Sequence, residues 1–156
     1  MLRFSTHAET LGRALAESLR GLAGGSIDMV VSPAMGGVII GHEVGRALGV
    51  PAIFTERENG AMTLRRGFRI EPGTSVVVVE DVVTTGLSTR EVILLLQNAG
   101  ARVLAAGSII DRSGGTVELG VPRAALATIK AAAWQPDECP LCKQGSPVVK
   151  PGSRAV

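Results

Sequence analysis

Two adjacent acids, Glu80 and Asp81, are followed within a few residues by the run Thr84, Thr85, Gly86, Leu87, Ser88 and Thr89, and no other stretch of the chain gathers as many chemically useful groups. Paired carboxylates in such a place suit sugar hydroxyls or a metal ion. A glycine-containing turn rich in hydroxyls that opens into a helix offers backbone N–H groups, O–H donors and the positive end of the helix dipole, which together make a phosphomonoester site. The turn holds no lysine, and neither a GxxxxGK[ST] loop nor a GxGxxG fingerprint occurs, so nucleotide hydrolysis and dinucleotide binding lack support. The plainer alternative is that the acids merely end a strand and the hydroxyls merely cap a helix.

The elements that must position these groups can be read outward from them. Val76, Val77, Val78 and Val79 form a β-branched run suited to a strand covered on both faces, as in a parallel sheet flanked by helices. The acids then fall at that strand's carboxyl end, where open α/β sheets bind their ligands. A helical pattern runs from Arg90 to Gln97 and stops at Asn98, Ala99 and Gly100. Upstream, Leu11, Leu15, Ala16, Leu19 and Leu22 make one stripe of an amphipathic helix over residues 6–22, ended by Gly24 and Gly25. Residues 27–31 are expected to form a short strand. Beyond it a loop of small residues, Ser32 to Gly37, leads into a helix over 38–48 and lets backbone amides approach a second anion.

Residues 51–55 and 68–70 are expected as two further strands. The polar stretch between them, with Arg57, Arg65, Arg66 and glycines, is a candidate lid loop; the alternative is a solvated hairpin whose arginines touch nothing. Residues 103–110 read as a buried strand with Asp111 and Arg112 just past its end, opening on the same crevice as Glu80 and Asp81. A last strand is expected over 121–130. Strands alternating with helices indicate one mostly parallel α/β domain over residues 1–135, followed by an irregular, proline-rich tail over 136–156.

The 156 residues suffice to bury a core without staples. Apolar residues make up 46% of the chain, yet no run approaches the roughly 18 needed to span a membrane, and the first residues lack a signal-peptide core, so a cytoplasmic protein with no membrane partner is expected. A net charge of +2, one Trp, three Phe and no Tyr give no footprint for nucleic acid. Cys139 and Cys142 form a single CxxC, half of a tetrahedral zinc site, with both histidines far upstream. Two reduced thiols on a small turn are expected; a site shared between subunits or a redox pair is the alternative.

The stretch VVVVEDVVTTGLST resembles the phosphoribosyl-diphosphate (PRPP) motif of the type I phosphoribosyltransferases: a hydrophobic run, two acids, two hydrophobic residues, then T-x-G-x-[ST]. The resemblance narrows to the orotate phosphoribosyltransferase family through SPAMGGVIIGHEVGRALGVPAIFTERE, LRRGF, the Asp111-Arg112 pair and a CPLC…VKPGSR tail. It implies that type of fold and transfer of a 5-phosphoribosyl group from PRPP to orotate, with release of pyrophosphate. It further implies that Glu80, Asp81, Val82, Val83, Thr84, Thr85, Gly86, Leu87 and Ser88 bind PRPP, the two acids taking the ribose hydroxyls and residues 84–88 the 5-phosphate. Ala34, Met35, Gly36 and Gly37 would form the pyrophosphate loop. Thr84 and Arg112 would contact orotate, an anion that a guanidinium fork matches well. Glu80, Asp81 and Arg57 are the implied catalytic residues, Mg²⁺ is the implied cofactor, held mainly through PRPP rather than by a protein metal site, and a homodimer is implied whose lid enters the neighbouring subunit's site.

This chain departs from that family in two places. Many members carry an Arg-Lys-Glu start to the lid and a further Lys and His, where this chain has Glu56, Arg57 and Glu58 and nothing basic until Arg65 and Arg66. Members also begin earlier, with a hood over the base, whereas this chain starts near the helix that follows it. The alternatives are a phosphoribosyltransferase for another base, such as a purine, a PRPP-binding regulatory module without catalysis, or a folded but inactive product. A purine site has no evident use for Arg112, and a regulator would be expected to show a DNA-binding helix-turn-helix or a basic face.

Overall fold

The computed structural model describes residues 2–132, 134–135 and 137–147. Six strands form one sheet in the order β3-β2-β1-β4-β5-β6. They are β1 (Met29–Pro33), β2 (Ala52–Glu58), β3 (Ala61–Leu64), β4 (Ser75–Val83), β5 (Arg102–Asp111) and β6 (Arg123–Thr128). All neighbours pair in parallel except β2 and β3. Helices α1 (Ser5–Ala23), α2 (Gly36–Leu48) and α3 (Leu87–Asn98) cover the sheet, and a four-residue helix α4 (Pro140–Lys143) lies in the tail that the sequence suggested to be irregular.

The valine run behaves as its β-branching demands. Val76, Val77, Val78 and Val79 are all 0% exposed. Successive side chains of a strand point to opposite faces, and Val77 and Val79 pack with Leu15 and Leu19 of α1 and Ile40 and Val44 of α2. Val76 and Val78 pack with Val92, Ile93 and Leu96 of α3. Central strand β4 is thus buried on both sides, with α1 and α2 on one face and α3 on the other. The close seat of α2 on β1 needs its small residues: a Cβ on Gly41 would lie 2.0 Å from Ser32 Oγ.

From β1 the chain crosses through α2 to β2, and from β4 through α3 to β5, in opposite directions along the sheet. The carboxyl ends of neighbouring strands β1 and β4 therefore flank the topological switch point, the place where such sheets leave a crevice.

The edge beyond β2 differs from the sequence expectation. Residues 68–70 form no strand, and β2 runs on to Glu58, where Asn59 (φ 49°) and Gly60 (φ 87°) turn the chain into β3. Two consecutive residues with positive φ are the requirement of a two-residue type I′ hairpin turn, and Glu58 accordingly pairs with Ala61 and Arg57 with Met62. The apolar character of residues 68–70 comes from packing without a ladder. Phe68 sets its ring edge-on to Phe54 at 5.3 Å, and Ile70 enters the core. Among the described residues no helix is long and apolar enough to cross a membrane.

Candidate active site

Two loops and an acid pair meet at the switch point. Glu80 is 8% exposed, and its Oε1 accepts the Asp81 N–H at 3.3 Å. Burial first, then the hydrogen bond and charge of Asp81, push the Glu80 carboxyl up to about 9, so it keeps its proton at neutral pH. Asp81, one residue on, also lies against the head of α2: a Cβ on Gly36 would be 2.6 Å from its Oδ1. That oxygen also accepts the Val82 N–H at 2.8 Å.

The turn from β4 into α3 lines, with Glu80, Val82 and Val83, a cavity of about 240 Å³ that includes Thr84, Thr85, Gly86, Leu87 and Ser88. Gly86 is the N-cap at φ 73°, and no side chain caps the helix. Thr84 and Thr85 are exposed, and the Thr85 hydroxyl receives only a long 3.4 Å bond from Leu87 N–H. The hydroxyls are therefore not spent on capping. Arg90 braces the turn from outside, donating to Thr85 O at 2.8 Å and to Glu118 O at 2.9 Å.

The second loop has the same plan. β1 ends at Pro33, Ala34 N–H bonds Thr55 O at 2.8 Å, and Met35, 84% exposed, is the N-cap of α2 with no side-chain cap. Gly36 and Gly37 make the first turn of that helix, and a Cβ on Gly37 would meet Val79 O at 2.9 Å and Glu80 Oε1 at 3.3 Å. Two uncapped helix heads thus flank Glu80 and Asp81, each offering free N–H groups and a positive dipole end to an anion.

A profile of the phosphoribosyl transferase domain family matches residues 5–137. The chain is 54% identical to the orotate phosphoribosyltransferase of Heliobacterium modesticaldum, over 99% of this chain and 80% of that one. It is 50% identical to that of Thermotoga maritima, over 100% of this chain and 82% of the relative. The chain belongs to the orotate phosphoribosyltransferase family. Among solved structures it resembles an orotate phosphoribosyltransferase from Aeropyrum pernix, with 26% identity and a TM-score of 0.58 over 81% of this chain and 72% of that one. An adenine phosphoribosyltransferase, at 18% identity and TM-score 0.67 over 80% and 82% of the two chains, shares the fold.

Within this orotate phosphoribosyltransferase-family chain, the structure gathers the acids, residues 84–88 and residues 34–37, and leaves two sequence-derived residues in other company. Arg57 stands on the β2–β3 hairpin and forks onto Glu91 of α3 while also donating to Gly60 O. Arg66 pairs with Glu56 at 2.9 Å and Arg65 with Glu58 at 3.5 Å, so the hairpin is neither an open loop nor a set of idle cations. Arg112 is exposed, and its backbone N–H reaches Val83 O at 2.8 Å, which ties it to the end of β4. Its neighbour Asp111 does not open on the crevice. It is the last residue of β5, fully buried, and bonded to Arg123 at 2.7 Å.

Sequence reasoning gave no role to the side chains of Arg90, Glu91 and Ser32. The first two sit on the exposed side of a helical pattern, where charges are ordinary, and their partners are remote in sequence. Ser32 had a signal: Gly37, Gly41 and Gly45 recur every fourth residue and mark a helix pressed against its neighbour. Its hydroxyl is buried without a partner among the described residues. In the tail, Cys139 is half-buried and Cys142 exposed; N–H groups of Cys142 and Leu141 lower the Cys139 thiol, and Cys142 is raised by the thiol it faces. Among the described residues no three His, Cys, Asp or Glu side chains gather to hold a metal. Part of the expected tail, residues 148–156, lies outside the described residues.

Proposed function

We propose that the chain transfers the 5-phosphoribosyl group of PRPP to orotate, giving orotidine 5′-phosphate and pyrophosphate in de novo pyrimidine synthesis. The observation that carries the reading is the pair of uncapped helix heads on either side of Glu80 and Asp81, a spacing of anion site, diol site and anion site that mirrors 5-phosphate, ribose and pyrophosphate. Residues 84–88 take the 5-phosphate, with the Thr84 and Thr85 side chains exposed and the Thr85 hydroxyl accepting only the long bond from Leu87 N–H. Residues 34–37 take the pyrophosphate through the free amides of α2.

In the reaction the bond from C1 to pyrophosphate breaks and a bond from C1 to the ring nitrogen of orotate forms, through an oxocarbenium-like transition state. Such a step asks the protein for placement and charge rather than covalent chemistry. Asp81 and Glu80 bond the ribose hydroxyls, Asp81 as the carboxylate that faces the cationic ring and Glu80 through its protonated carboxyl. Arg57 leaves Glu91 to meet the pyrophosphate, and Arg112 receives the orotate anion. A Mg²⁺ that arrives with the substrate phosphates would need from this chain only the Asp81 carboxylate, since that ion is commonly held by one or two carboxylates plus the substrate. When bound, it neutralises the departing pyrophosphate. The enzyme is proposed to work in the cytoplasm as a homodimer, the hairpin reaching the neighbouring subunit's site.

The test is the fall in orotate absorbance on adding PRPP and Mg²⁺, with adenine, hypoxanthine and uracil run in parallel. Consumption of orotate with release of pyrophosphate is expected. Consumption of a purine instead would transfer the reading to another base, and tight PRPP binding with no base consumed would make the chain a binding module.

A further inference from the structure

The segment between β5 and β6 carries Arg112 and also touches the phosphate turn, and one buried carboxylate organises it. Asp111 is 0% exposed. Its Oδ1 accepts Ser113 N–H at 2.7 Å and Ser113 O–H at 2.6 Å, and its Oδ2 accepts Arg123 Nη1 at 2.7 Å. Arg123 spends its other arm on Gly115 O at 2.6 Å. Ser113 Oγ in turn accepts the N–H groups of Thr116 at 3.1 Å and Val117 at 3.2 Å. Burial raises the Asp111 carboxyl, but the Ser113 and Arg123 bonds outweigh it and hold the group below the ordinary carboxylate range.

What the anchor fixes is the floor of the phosphate turn. The side chains of Val117 and Leu119 lie 2.6 and 2.9 Å from where a Cβ on Gly86 would stand, so they support that glycine directly. Arg90 bridges Glu118 O to Thr85 O, and Arg112 N–H bonds Val83 O. The segment that presents Arg112 is therefore joined to the 84–88 turn at two points and to the end of β4 at a third. A buried ion pair contributes little net stability compared with an apolar pair of similar volume, and fixing one geometry is its better-attested use.

We infer that Ser113, held by Asp111, which Arg123 fixes from its other oxygen, is a positioning residue that holds the Arg112 segment and the floor of the phosphate turn as one unit, so that base and phosphate affinities depend on it together. The orotate half of this inference rests on the function proposed above; the PRPP half does not, because it is read by binding alone.

The experiment compares wild type, Ser113→Ala, Ser113→Thr and Arg112→Ala, by calorimetric titration with Mg²⁺–PRPP and by steady-state KM for orotate. Ser113→Ala is expected to weaken PRPP and to raise KM for orotate by about fivefold each, ~1 kcal/mol apiece at 1.4 kcal/mol per tenfold. Ser113→Thr, which keeps the hydroxyl, restores both. Arg112→Ala raises KM for orotate alone. A Ser113→Ala protein that melts lower but binds both substrates as wild type does would reduce the network to a staple between strands and overturn the inference, as would a loss confined to one substrate. Should Ser113→Ala fail to fold, Arg123→Lys, which keeps the charge but cannot fork to both Asp111 and Gly115, is read by the same criteria. An enzyme without orotate activity would remove the proposed function, while the PRPP titration would still decide the coupling to the phosphate turn.

Discussion

The turn at residues 84–88 and the β2–β3 hairpin both carry groups suited to anions, and they hold them in opposite states. The turn keeps its hydroxyls and helix-head amides uncommitted, on a glycine cap braced by Arg90 from outside and by Val117 and Leu119 from below. The hairpin commits every arginine, Arg57 to Glu91, Arg65 to Glu58 and Arg66 to Glu56. A preformed cradle binds without reorganisation, whereas a paired cation must change partners first. Solvent-accessible ion pairs of this kind are worth about 0–1 kcal/mol, so the exchange is cheap. The 84–88 turn is thus built for rigidity and the hairpin for exchange.

The largest effect is expected where the rigid side is broken. Gly86→Ala places a methyl 2.6 Å from Val117 Cγ1 and 2.9 Å from Leu119 Cδ2 at φ 73°. Left-handed backbone in a non-glycine residue costs ~1 kcal/mol and overpacking a further 1–3 kcal/mol, so relief by shifting the turn should weaken Mg²⁺–PRPP on the order of 100-fold in a calorimetric titration. Affinity within threefold of wild type would show that the turn is not the phosphate cradle.

The next effect concerns the acid between the two loops. Glu80 holds its proton up to about 9 when folded, against a usual value of 4.5. Between those values the unfolded chain has released the proton and the folded one has not, so the unfolded state binds fewer protons and this group makes stability fall as pH rises. Glu80→Gln removes the contribution. Thermal melts from pH 5 to pH 9 should show its melting temperature gaining on wild type as pH rises, by several degrees at the top of the range. A gap that stays constant or shrinks would mean that Glu80 is ionised in the folded protein.

How far these two regions could be read in advance follows from where their information lies. The turn was legible because strand, acids, hydroxyls and helix start are contiguous, and the valine run alone dictated two-sided burial. The hairpin was legible only in part: residues 51–55 were expected as a strand and a solvated hairpin was the alternative to a lid, but edge strand β3 is only four residues long and the charges on β2 mask its alternation. Its one local signal was the Asn59-Gly60 pair. Asp111 failed by a single position. One residue more of β5 turns its side chain from crevice to core, because strand faces alternate. Arg90 and Glu91 act on residues 28 and 34 positions away, and nothing local encodes that.

On the exchangeable side, Glu91→Gln removes the partner that Arg57 must leave. PRPP affinity is expected to tighten by about threefold at low ionic strength, a difference that shrinks in high salt as the pair is screened. Weaker binding in the variant would reverse the interpretation, making Glu91 an orienting residue rather than a competitor.

The smallest effect tests whether the hairpin's own geometry matters. Asn59 holds φ 49° in the two-residue turn, a conformation that asparagine tolerates and alanine does not. Asn59→Ala should cost ~1 kcal/mol, a fall of about 2–4 °C in melting temperature for a chain of this size, and Asn59→Gly should cost nothing. The register Arg57↔Met62 is fixed by six further paired residues, Thr55 with Leu64, Glu56 with Thr63 and Glu58 with Ala61, so the arginines keep their places and KM for PRPP should stay within twofold. If instead turnover fell with unchanged stability, the tip itself would be moving during the reaction. The cheap exchange of arginine partners would then be driven by closure of the hairpin rather than by the charge of the arriving pyrophosphate.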